Sequence, residues 1–165
     1  MTQQFPGSRR TAKVLFVIFI IVAVGSFLWG FFVVERVRER AKETDGALRS
    51  IAFACLCYAQ QGDHHWPDSE EALSGAASPW DCAILATVST AAAIPAWPPT
   101  REAALAGMVA PRTAAEALKI AGLEFSKNPA DPPRVHARGN PSGLDTLTIV
   151  NDWLAKYQSS QVSKP

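Results

Sequence analysis

The run VLFVIFIIVAVGSFLWGFFVV, Val14 to Val34, constrains this chain more than any other feature: 21 consecutive positions with no charge and no proline. At about 1.5 Å of rise per residue, a helix of that length covers about 30 Å, the thickness of a bilayer's hydrocarbon core. Within lipid, a helix is also the single-segment structure that satisfies its own backbone hydrogen bonds. Residues 14–34 therefore read as a transmembrane helix, with Trp29 and Phe31 towards one end, as interfacial aromatics often are. The run far exceeds the roughly 7–15 residues of a signal-peptide core, so a retained anchor is expected rather than a cleaved leader. Residues 1–13 form an N-terminal tail, whose SRRTAK fits a twin-arginine export signal poorly at Ala12 and beyond, at Val14.

Subtracting the anchor from 165 residues leaves roughly a hundred for one small domain with a modest core. The formal charge is +1, and Lys and Arg are spread from end to end. No basic face of the kind that neutralises phosphates emerges, which argues against a nucleic-acid partner.

Nothing after Val34 stops a helix until Gly62: the intervening residues include no proline and one glycine, Gly46. Residues 35–61 are thus a stalk and packing helix continuous with the anchor. Glu35 to Asp45 is polar all round, with like-sign rows such as Glu35 with Glu39 and Arg36 with Arg40 side by side, and reads as solvated. From Leu48 the pattern changes. Leu48, Ile51, Ala52, Cys55, Tyr58 and Ala59 recur at three- and four-residue steps, predicting a broad apolar face that packs a domain.

The globular part spans residues 62–157. Asp68-Ser-Glu-Glu71 has the form of a capping box and predicts a short helix from there to about Gly75, with Asp68 as the cap. Nine prolines from Pro79 to Pro141 favour short elements. REAALAGMVA (101–110) and AAEALKIA (114–121) follow Thr100 and Thr113 and read as two short helices. LEFSK (123–127) and RVHAR (134–138) alternate apolar with polar, as paired antiparallel strands do. Leu147, Val150, Leu154 and Tyr157, with Trp153 beside them, predict a closing amphipathic helix. Residues 158–165, QSSQVSKP, read as a disordered polar tail. The fold class expected is α+β: a transmembrane helix continuing into a long amphipathic helix, packed by a small, mainly helical domain with a short two- or three-stranded antiparallel sheet.

The stretch YAQQGDHHWPDSEEAL, Tyr58 to Leu73, is the densest in chemistry-bearing side chains. His64 and His65 with four nearby carboxylates include zinc-ligand types, but adjacent histidines in an extended segment point apart. The segment reads instead as helix termination followed by the start of the next helix, with Trp66 folded back over the Leu48 to Tyr58 face. No nucleophile-elbow motif, phosphate-cradling loop or helix-terminal thiol pattern is present, so no catalytic residue, metal ligand or cofactor is assigned. Three cysteines cannot all pair within one chain. Cys55 and Cys57 sit two apart on a helix and cannot clip to each other, leaving Cys82 as the possible partner of either, or all three as buried thiols. Trp66, Trp80, Trp97 and Trp153 read chiefly as core, with Trp80 and Trp97 the candidates for a partner surface.

A membrane helix running into an amphipathic helix, then Tyr58, a glycine-containing turn, Trp66-Pro67 and Ser69 to Leu73 resembles the start of type IV pilin-like proteins, especially type II secretion pseudopilins. The resemblance covers about Val14 to Leu73. It implies that the helix packs against a small sheet outside the membrane and that subunits associate through their helices. The chain departs from the pattern in two ways: no Gly-Phe-Thr-Leu-x-Glu peptidase signal precedes the span, and no glutamate lies within it. Counting Lys and Arg leans towards a cytoplasmic domain, since Arg36, Arg38, Arg40, Lys42 and Arg49 follow the span whereas Arg9, Arg10 and Lys13 precede it. The resemblance implies the opposite, an extracytoplasmic domain.

The function expected is that of a single-pass, membrane-anchored, non-catalytic pilin-like envelope protein acting in assembly or protein interaction. Its partners would be the lipid bilayer, other envelope proteins, or further copies met through the N-terminal helix. The alternatives are a membrane-tethered enzyme or metal binder using His64 and His65, and a small-ligand binding module.

Overall fold

The structure, a computed structural model, describes residues 8–61, 65–75, 113–128 and 131–162. The elements are α1 (Ser8–Gln61), α2 (Glu70–Gly75), α3 (Ala114–Ile120), β1 (Gly122–Glu124), β2 (Arg134–His136) and α4 (Thr146–Val162). The chain divides into two compact units, Met1–Arg38 and Glu39–Pro165. The helix predicted across 101–110 lies outside the described residues.

α1 is a single 54-residue helix. Its absence of proline explains why nothing interrupts the hydrogen-bond ladder, and Gly46 does not break it. Within the second unit, burial begins earlier than the sequence pattern indicates. Thr44 is already buried, and its hydroxyl donates to the Arg40 carbonyl at 2.9 Å, which satisfies the side chain inside its own helix. Asp45, assigned from sequence to the solvated stalk, is half-buried: the Gly143 backbone N–H donates to its Oδ1 at 2.8 Å.

From Leu48 to Cys57 the helix is buried on nearly every side, with Arg49 half-buried. The broad apolar face expected from Leu48 is thus part of a wider enclosure. Ser50, Phe53, Ala54, Leu56 and Cys57 are as enclosed as the predicted Leu48, Ile51, Ala52 and Cys55, whereas Tyr58 is half-buried. Small side chains such as Ala47, Ser50, Ala52 and Ala54 admit close neighbours without demanding a large apolar surface of their own.

α2 begins where expected, but its cap is Ser69 rather than Asp68. The Ala72 N–H donates to Ser69 Oγ at 3.2 Å and Leu73 N–H to the Ser69 carbonyl, so the capping box read from Asp68 and Glu71 does not form. Asp68 is exposed. α3 follows its sequence signal closely: Thr113 Oγ1 accepts from the Glu116 N–H at 3.2 Å.

The sheet contains two described strands in antiparallel register, Gly122 with His136, Leu123 with Val135 and Glu124 with Arg134. A Cβ at position 122 would run into the His136 imidazole, so glycine there lets the ring lie against the opposite strand. α4 covers the sheet with Val150, Trp153, Leu154 and Tyr157 buried as their spacing predicts and Leu147 half-buried. It runs on to Val162, so residues 158–162, read from the sequence as part of a disordered tail, are helical.

The core cluster joins α1, Trp66, α2, α3, the sheet and α4. Phe53 meets Trp153 edge-on with ring centroids 6.0 Å apart, tying α1 to α4. Trp66 is buried in the same cluster as Leu48, Ile51 and Cys55. The partners that fix its ring are on α4, however. Its Nε1–H donates to Gln158 Oε1 at 2.8 Å, and its plane lies at 76° to Tyr157. The expected fold-back over Leu48 to Tyr58 thus becomes a clasp onto the closing helix.

Candidate functional site

Three features of the described residues stand out by exposure or shape: the apolar part of α1, the turn ahead of α4, and an open groove beside the sheet. The first is the most pronounced. Every residue from Val14 to Val34 is exposed, including Phe27, Trp29 and Phe32 with about two thirds or more of their surfaces uncovered. The most apolar window of the helix has none of its residues buried. A helix serving as a protein core would show the opposite, as residues 44–57 of this same α1 do. Phe31 and Phe32 pack edge-on at 6.3 Å on the outside of the helix, and neither is covered. Exposed apolar surface on this scale is compatible with a membrane anchor. Its length of about 30 Å matches a bilayer core.

The stretch from Glu35 to Arg40 is likewise exposed, as are Lys42 and Glu43. Like-signed side chains recur four residues apart, Glu35 with Glu39 and Glu43, and Arg36 with Arg40. These rows repel weakly within one helix and are available to charges on a neighbour.

The second feature rests on interactions that periodicity does not reveal. Arg138 (φ 50°) and Gly139 (φ 81°) both occupy left-handed backbone conformations, closing a turn in which the Asn140 N–H donates to the Ala137 carbonyl at 2.9 Å. Arg138 Nη2 donates to Glu70 Oε1 at 2.8 Å across a largely solvated gap. Asn140 Nδ2 donates to the Ile120 carbonyl at 2.7 Å, supplying a partner at the end of α3. Gly143 is then held to Asp45, where a Cβ would approach Asp45 Oδ2 at 2.8 Å. Next to this pinned glycine, Leu144 is 102% exposed. Among the described residues, every other exposed large hydrophobic lies between Val14 and Val37.

The third feature is a groove of about 720 Å³ between the β1–β2 connection and α4, lined by Phe125, Lys127, Pro132, Pro133, Asn151 and Asp152 among others. Asn151, one of its lining residues, has a defined structural task. Its Oδ1 accepts from the Val135 N–H at 2.9 Å, while Nδ2 donates to the Val135 and Leu147 carbonyls at 3.1 and 2.9 Å. In an antiparallel pair the N–H and C=O of one residue point to the same side. The carboxamide therefore takes the place of a third strand on the outer edge of β2. The groove's described lining carries carboxylates and cations but no histidine or cysteine.

The sequence-derived candidates fall out as follows. Leu48, Ile51, Cys55 and Trp66 are brought together in one core cluster, with Tyr58 packed at its margin. Burial pushes the Cys55 thiol well above its ordinary range, keeping it protonated and unreactive. Cys57 is also a buried thiol. His65 and His136 are exposed, and no group of three or more potential metal ligands occurs among the described residues. Trp80 and Trp97, the candidates for a partner surface, lie outside the described residues, as do His64 and Cys82. Comparison with family models, curated proteins and solved structures found no match.

Proposed function

We propose that this protein is a single-pass, membrane-anchored, non-catalytic component of a cell envelope, with a pilin-like domain outside the cytoplasm acting in assembly or protein interaction. The observation that carries the anchoring is the exposed apolar segment Val14 to Val34, whose 21 residues match a bilayer core in length and composition. Support for a pilin-like build comes from chain order. An unbroken α1 supplies first the apolar segment and then the buried centre of a small domain that includes an antiparallel sheet. Support for an interaction role comes from the rows of acidic and basic side chains along Glu35 to Glu43, which can pair with those of a neighbouring helix.

A topology reporter fused after Pro165 tests the orientation. Activity confined to an extracytoplasmic reporter is expected; activity of the cytoplasmic form would overturn the pilin-like account in favour of the orientation given by Lys and Arg counting. Cross-linking in membranes through cysteines placed at Arg36 and Arg40 tests the interaction role and is expected to give discrete higher-mass species. Stoichiometric metal in the purified full chain, lost on replacing His64 and His65 together by Ala, would instead establish a metal-binding function.

A further inference from the structure

We draw no further inference here: the strongest candidate, the fully exposed Leu144 on the turn that Gly143 pins to Asp45 ahead of α4, carries nothing, because nothing in the structure shows what covers it.

Discussion

Two stretches of α1 have the same backbone and opposite surroundings. Residues 14–34 expose large apolar side chains throughout, whereas residues 44–57 are almost wholly enclosed although they include Thr44, Asp45, Arg49 and Ser50. The more hydrophobic stretch is thus the one the protein leaves uncovered. A lipid-facing helix must be apolar on all sides and has no need to let neighbours approach closely, so Phe, Ile, Val and Leu suit it. A helix at the centre of a small domain must accept several packed elements at short distance. There alanine, serine and cysteine leave room, and each polar group must find a partner. Thr44 finds the Arg40 carbonyl, and Asp45 finds the Gly143 N–H.

Paired truncations separate the two stretches most directly. Ile51→Ala removes a fully buried side chain and is expected to destabilise the domain by about 2–5 kcal/mol, whereas Ile20→Ala should leave domain unfolding unchanged. Chemical denaturation of the full chain in detergent measures both, and similar effects from the two would abolish the distinction. A charge in the exposed stretch tests the other half. Val24→Arg is expected to cost about 2.5–3.5 kcal/mol of membrane insertion, read as loss from the carbonate-resistant membrane fraction. Unchanged retention would count against a bilayer-spanning role for residues 14–34.

Asn151→Leu sharpens the view of how the enclosed region is finished. It leaves the Val135 N–H and C=O without the carboxamide that pairs them, at an expected cost of about 1–3 kcal/mol and with faster amide exchange at Val135. A smaller effect is expected from the Cys55 thiol. Its pKa is raised by burial, so its contribution is fully present below the ordinary value of 9.0 and is lost as pH rises above it, where the unfolded chain ionises and the folded one resists. The stability difference between the wild type and Cys55→Ala should therefore shrink progressively as pH rises above about 9, and a difference independent of pH there would contradict the buried thiol.

Several local elements were legible because their causes are local. Thr113 three residues before Glu116 marks the start of α3, and the spacing of Val150, Leu154 and Tyr157 marks the inner face of α4. Other features were misread where two nearby residues compete for one role. Asp68 and Ser69 are both good caps, and it is Ser69 whose hydroxyl accepts from the Ala72 N–H. The polar tail looked unstructured by composition, yet Gln158 accepts from Trp66 and the helix continues past it.

The long uninterrupted helix, its apolar first part, α3 and α4 follow from periodicity, proline placement and capping residues within a few positions, and two antiparallel strands were legible at 123–127 and 134–138, against 122–124 and 134–136 in the structure. Tertiary packing decides that α1 is buried on nearly every side from Leu48 to Cys57, that Asp45 fastens the turn before α4, and that Asn151 completes the sheet edge. The first depends on apolar packing and the other two on hydrogen bonds between groups 98 and 16 residues apart, separations across which no local pattern specifies who meets whom.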